Sequence, residues 1–362
     1  MSTNAIAASV ENEPGWLELT DLARRDIGGA VIWADDEAFA EKENLITPGE
    51  PVFDPNEFGH KGKVYDGWET RRRREAGSDS AIVRLGVAGA VSGVVVDTAF
   101  FLGNYPPEVS VEGVWAPGYL GADELSKKQW VPLVEHAPLS GGAKHFFDCN
   151  EAAGPFTHLR LTMHPDGGIA RFRVHGTPFP DPRYLHGTID AAAADNGGRV
   201  IGCSNLFYSS PNNLLARGLP INMGGGWENA RRRGAGNDYV EIALAGETEI
   251  DWVELDTSWF VHNAPGAAQV SARRGGGDWE VIVPKRPLQP DTRHRFLLNH
   301  AEKSDVDEVV VSEPAAPSGR LAFDAIRIDV YPDGGLARVR VMGSLTTTAL
   351  KEIASRYPQD QT

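Results

Sequence analysis

The sequence predicts an all-β protein built as two tandem jelly-roll-like β-sandwiches related by internal duplication. Three observations predict it. A 38-residue block occurs twice, each copy carries a PDGG turn between two alternating segments, and 40 glycines and 24 prolines punctuate 362 residues. Gly and Pro at that frequency are the turn chemistry of many short strands.

The duplication is the strongest of the three. Residues 67–104 and 226–263 align without a gap and are identical at 15 positions, among them Gly67 with Gly226, Trp68 with Trp227, Glu69 with Glu228, Asp97 with Asp256 and Asn104 with Asn263. Upstream, Gly28-Gly29 and Asn44-Leu45 answer Gly197-Gly198 and Asn213-Leu214; downstream, residues 164–176 answer 331–343. The first copy carries about ten extra residues, FDPNEFGHKGK (53–63), an insertion of the kind that maps to a surface loop. Two long copies mean two similar domains, placed at 16–180 and 190–345, and not a solenoid of short repeats.

Element by element, LRLTMH (159–164) and IARFRV (169–174) alternate apolar and polar residues around PDGG, which predicts a hairpin, as do AIRIDVY (325–331) and LARVRV (336–341). VEIAL and IDWVEL read as strands either side of a turn, AGETE (245–249). DLARRD (21–26) and IDAAAAD (189–195) read as single short helices entering each domain. Residues 181–190 are too short for a flexible tether, so packed domains with a site between them are expected. Residues 1–15 and the polar end after Leu350 read as frayed.

Composition excludes several classes. A net charge of −15 opposes nucleic acid and anionic membranes as partners. No apolar run reaches a membrane span, and the first fifteen residues lack a basic n-region, so a cytoplasmic protein is expected. Cys149 and Cys203 form neither a disulfide framework nor a zinc pattern. There is no G-x-S-x-G, P-loop, G-x-G-x-x-G or H-E-x-x-H, so no cofactor or metal is expected. Against the acidic background, arginines bunch at Arg71–Arg74 and Arg231–Arg233, a local cationic spot suited to a small anion.

The strings YDGWETRRRR (65–74) and DTAFFLGN (97–104), the ENL element (43–45), and the second-copy GWENARRR and DTSWFVHN together resemble the allantoicase family over residues 16–345. The resemblance implies two galactose-binding-domain-like jelly rolls per chain, a homo-oligomer, and hydrolysis of allantoate to ureidoglycolate and urea in purine and allantoin breakdown. One departure stands out: His262 occupies the place of Gly103, which puts the second site in doubt if that glycine serves a close backbone approach.

That chemistry breaks a bond from a carbon to a poorly departing nitrogen, so it needs a proton donor, a base for water and donors for a carboxylate and ureido oxygens. Glu69 and Glu228 are candidate acid–base groups, each three residues before an arginine, with a structural ion pair as the competing reading. His60, with Lys61, lies in the inserted loop, and histidine is a residue type able to move protons; His262 is a similar candidate. Arg72, Arg73, Arg231 and Arg232 are candidate substrate ligands, because a guanidinium meets a carboxylate with two parallel bonds. In extended chain Arg72 and Arg74 share one side and Arg71 and Arg73 the other. Asp97 and Asp256 close an apolar strand, where they line a site or organise a turn, and Asn104 and Asn263 complete the substrate-binding set. Trp68 and Trp227 read as core anchors. The rival reading is a non-catalytic carbohydrate- or small-anion-binding sandwich.

Overall fold

Residues Asp79–Asp97 form one 19-residue strand, and Asp238–Asp256 form its equal in the second copy. In the computed structural model, which describes residues 13–298 and 321–358, each long strand serves both layers of a sandwich. The chain divides into two units between Phe179 and Pro180.

The first unit contains β1 (Thr20–Asp21), β2 (Ala30–Ala34), β3 (Phe58–Gly59), β4 (Gly62–Lys63), β5 (Trp68–Glu69), β6 (Asp79–Asp97), β7 (Glu108–Val114), α1 (Ala122–Leu125), β8 (Val131–Pro138), β9 (Lys144–Asp148), β10 (Phe156–His164), β11 (Gly168–Ile169) and β12 (Arg171–Pro178). The second contains β13 (Thr188–Asp190), β14 (Arg199–Cys203), β15 (Asp238–Asp256), β16 (Ala267–Arg273), β17 (Glu280–Pro287), β18 (Arg293–Leu297), β19 (Ala322–Tyr331), β20 (Arg338–Leu345) and α2 (Thr347–Arg356).

The first half of β6 pairs with β2 and β10, whereas the half beyond Gly89 pairs with β12 and β9. One layer is therefore β2-β6-β10-β7-β8 and the other β1-β12-β6-β9. The strand changes layer at Gly89, where a Cβ would lie 2.5 Å from Leu22 and 2.6 Å from the carbonyl of Thr177. β15 does the same with β14, β19, β20 and β18. Alternation in β10 buries Leu159, Leu161 and Met163, and β12 adds Phe172 and Val174, so the core lies between the layers.

Four sequence expectations differ from the structure. PDGG is not a hairpin turn, because β10 and β12 pair with different halves of β6 and not with each other. The loop's own backbone is used elsewhere: Gly167 O accepts from Thr70 N (3.0 Å) and Gly168 N donates to Asn104 O (2.7 Å). AGETE is not a turn either. It runs inside β15, where register shifts between Ala243 and Thr248 and between Ile250 and Trp252 absorb the extra residues. DLARRD and IDAAAAD are not α-helices. Asp21 and Asp190 each accept a backbone N–H of the neighbouring strand, from Val174 of β12 and Val341 of β20, at 2.9 Å, and only single 3₁₀ turns follow before Gly28 and Gly197.

Of the polar end after Leu350, the part to Arg356 belongs to helix α2, capped by Thr346 Oγ1, which accepts from Ala349 N, and is not frayed; residues 359–362 lie outside the described residues. Residues 1–12 of the other segment expected to fray lie outside the described residues.

Candidate functional site

The GWE motif is built from its glycine outward. A Cβ on Gly67 would sit 2.6 Å from Ile169 O and 2.7 Å from the Phe101 ring; on Gly226 it would sit 2.5 Å from Leu336 O and 2.9 Å from Phe260. Asn44 Nδ2 donates to Gly67 O at 3.0 Å and Asn213 Nδ2 to Gly226 O at 2.9 Å, which gives the ENL asparagine its purpose. Trp68 and Trp227 are fully buried, their indole N–H groups donating to Asp36 O (2.8 Å) and Asn205 O (3.0 Å), as core anchors.

With the tryptophan inward, alternation turns the next side chain out. Glu69, half-buried, accepts a hydrogen bond from Asn104 Nδ2 on Oε1 at 2.6 Å; Glu228 accepts from Asn263 at the same 2.6 Å. Burial raises the Glu69 pKa above the ordinary carboxylate value, against the lowering effect of the Asn104 bond. A carboxyl so placed holds its proton to higher pH than an exposed one.

The asparagines are delivered by the loop that leaves each long strand. Asp97 and Asp256 are buried and act as turn organisers, Oδ1 accepting from Ala99 N and Ser258 N at 2.8 Å. Thr98 Oγ1 donates to Ser140 O (2.6 Å) and Thr257 Oγ1 to Gln289 O (2.7 Å). The turns close by Phe101 N to Thr98 O (3.0 Å) and Phe260 N to Thr257 O (2.9 Å). Their third residues, Phe100 and Trp259, have φ of 69° and 70°, a left-handed backbone that costs an L-residue about 1–2 kcal/mol.

The arginine runs divide by parity. Arg73 Nη1 donates to buried Asp79 at 2.5 Å and its backbone N–H to Asp166 (2.8 Å); Arg232 repeats this, its guanidinium on Asp238 (2.5 Å) and its backbone N–H on Asp333 (2.6 Å). Arg71 pairs with Asp36 at 2.9 Å. Arg72, Arg74, Arg231 and Arg233 are exposed and make no ion pair among the described residues. Arg73 and Arg232 are thus held by internal carboxylates, whereas Arg72, Arg74, Arg231 and Arg233 have guanidiniums without an ion-pair partner among the described residues.

His60 is exposed beside β4, and Lys61 Nζ binds Glu41 Oε1 (3.1 Å) and Glu37 O (3.3 Å). His262 is exposed, and a Cβ at Gly103 would meet nothing within 4 Å, so the exchange of Gly103 for His262 disturbs no close approach. A half-open cleft of about 290 Å³ lies at the inserted loop and its flanks, lined by Val52, Phe53, Asp54, Glu57, Val64 and Asp66. Neither arginine run lines it.

Sequence reasoning missed the residue that holds this loop. Buried Arg171 donates to Gly49 O (3.4 Å), Asp66 O (3.0 Å) and Asp66 Oδ2 (2.6 Å), closing both ends of the loop onto β12. Arg338 does the same for the shorter second loop through Gly218 O (2.7 Å) and Gly225 O (2.5 Å). The available signal was the matched Arg in IARFRV and LARVRV. Among the described residues no three of His, Cys, Asp and Glu converge to hold a metal ion.

Fold and site together define a class: a duplicated β-sandwich protein that carries, in each copy, a half-buried carboxyl paired to a loop amide and followed in the chain by an arginine run. A family model described as the allantoicase repeat matches residues 20–179 and 189–346. The chain belongs to the allantoicase family. A probable allantoicase of Nocardia farcinica is 51% identical over 345 residues, covering 94% of this chain and 99% of that protein. One of Streptomyces avermitilis is 44% identical over 357 residues, covering 94% and 90%. The crystal structure of allantoicase from Saccharomyces cerevisiae is similar with a TM-score of 0.73 and 33% identity, covering 90% of this chain and 92% of that one.

Proposed function

We propose that the protein hydrolyses allantoate to ureidoglycolate and urea, with Glu69 and Glu228 as the acid–base groups of two like sites. The observation that carries this reading is the Glu–Asn pair, built with the same 2.6 Å bond in both repeats of an allantoicase-family chain. The protonated carboxyl gives its proton to the departing ureido nitrogen as the bond from the central carbon to that nitrogen breaks. The resulting carboxylate then takes a proton from water as the hydroxyl adds to the same carbon, which restores the acid and balances the reaction.

Arg72 and Arg231 bind the substrate carboxylate, the geometry a planar guanidinium satisfies with two bonds. Asn104 and Asn263 orient the acid. His60, in the inserted loop, is a further candidate for proton transfer. The working domains are 16–180 and 190–345, a division supported by the matched residues 20–179 and 189–346.

The cytoplasm is the proposed compartment. Neither Cys149 nor Cys203 is in a disulfide, and no helix among the described residues is long and apolar enough to cross a membrane. A homo-oligomer is the proposed assembly, supported by exposed apolar side chains such as Phe207, Tyr208 and Ile221. The test of function is incubation of the purified chain with allantoate while urea is measured. Urea above a heat-killed control is expected, and its absence discards the reading.

A further inference from the structure

We propose that Phe100 and Trp259 are the substrate-stacking residues of the two sites, each presenting a flat aromatic face to a planar ureido group. The inference rests on the ureido-substrate reading above and adds a specificity-determining residue to it.

The first observation is the backbone. Both residues hold the third position of the turn that ends the long strand, at φ of 69° and 70°. Glycine takes that conformation freely, and a bulky ring there is an outlier. Each repeat nevertheless keeps an aromatic residue, with a different ring in each, in the same conformation. A feature maintained against its backbone preference in two copies points to a task for the side chain.

The second observation is exposure. Phe100 and Trp259 are 40% and 49% exposed, whereas the adjacent Phe101 and Phe260 are 1% and 0% exposed. Alternation thus separates a ring for the core from a ring for the surface. The third is rigidity. Phe100 is stacked on Phe53 with centroids 5.3 Å apart and planes at 18°, and Trp259 donates its indole N–H to Pro220 O at 2.9 Å. Each ring is held from one side while a part of it stays open.

The fourth observation is position, since four residues on, the same loop supplies Asn104 or Asn263 to the acidic carboxyl. A ureido group is a flat, conjugated amide. Arginine and asparagine read its edge and charge, and a ring covers its face, the offset-stacked arrangement that planar π-systems favour.

The test compares Phe100→Gly, Trp259→Gly and the double variant with Phe100→Leu, Trp259→Leu, Phe100→Trp and Trp259→Phe, all in the full-length chain with allantoate as substrate. Glycine relieves the turn, so the melting temperature is expected to hold while KM rises roughly ten-fold, with kcat changed far less. Leucine keeps apolar bulk and strain but lacks a flat face, so its KM rises too. The aromatic exchanges keep a KM near wild type.

An unchanged KM in the glycine variants, or a wild-type KM in the leucine variants, overturns the proposal. So does a KM rise that tracks dissociation of the protein on size exclusion, which marks the rings as subunit contacts. A wild-type chain that releases no urea sinks the underlying reading instead, and is told apart because no variant is needed to see it.

Discussion

Asn104 Nδ2 stands 2.6 Å from Glu69 Oε1, and Asn263 Nδ2 stands at the same distance from Glu228 Oε1. The amide is a donor to the carboxylate form, so it lowers the Glu69 pKa while burial, the larger effect, raises it. A general acid works only when protonated, so the kcat of the first site falls as pH rises through that raised value. Asn104→Ala removes the lowering partner. Its basic limb is expected at higher pH than wild type, read from pH–rate profiles with Glu228→Gln as the common background. A limb displaced to lower pH refutes the assignment.

Arg72 and Arg73 are neighbours with opposite expected phenotypes. Arg72→Lys, with its partner exchange Arg231→Lys, keeps charge but loses the planar fork, so KM for allantoate should rise roughly ten-fold or more at an unchanged melting temperature. Arg73→Ala leaves the buried Asp79 carboxylate without its 2.5 Å partner. It should lower the melting temperature by roughly 5 °C. Steady-state kinetics beside thermal melts of both variants separate a ligand from a lock; identical behaviour contradicts the division.

Acid should weaken the first unit. His158 is 1% exposed, and burial, with Arg84 nearby, pushes its pKa down to about 4 from an ordinary 6.5. Its folded-state pKa is depressed, so the neutral ring is the folded form. As pH falls below 6.5 the unfolded chain binds a proton that the folded chain refuses until about 4. Stability therefore declines across that window by about 1.4 kcal/mol per pH unit, roughly 3 kcal/mol in all, and levels off below it. His158→Gln should flatten this slope in melts between pH 7 and 4. A variant slope equal to that of wild type rules the histidine out as its cause.

Gly67→Ala and Gly226→Ala test the close packing beneath the site. Each new methyl would meet a carbonyl oxygen at 2.6 or 2.5 Å, an overlap that backbone movement alone relieves. Overpacking of this kind costs about 1–3 kcal/mol. Lower melting temperature and lower kcat are expected together, since the same strand carries Glu69; wild-type values for both would show that the strand tolerates displacement.

What the sequence disclosed follows from what repeats disclose. Gly67, Trp68, Glu69 and Asn104 were legible because a second copy preserved them, and alternation alone assigned Arg72 and Arg73 to different sides. Parity does not say which side faces solvent; that required Asp79 and Asp166, whose contacts with Arg73 form only in the folded chain. Arg171 was visible as a matched arginine, but its task was not, for a related reason. Two of its partners are the carbonyls of Gly49 and Asp66, more than a hundred residues away, and a carbonyl carries no residue identity. PDGG misled because its turn chemistry was right and its partners were not: the strands it joins belong to different layers. Phe100 and Trp259 were visible as aromatics in both copies, but only a dihedral angle marks them as unusual.

The most direct test of the central claim is the rate of urea release from allantoate by Glu69→Gln, Glu228→Gln and the double variant, each confirmed folded by thermal melting. Glutamine keeps the shape and the partner but has no acidic proton to give. The account predicts a double variant at least about 100-fold below wild type in kcat, the lower end of what a positioned general acid contributes. A double variant that turns over allantoate at the wild-type rate would contradict it.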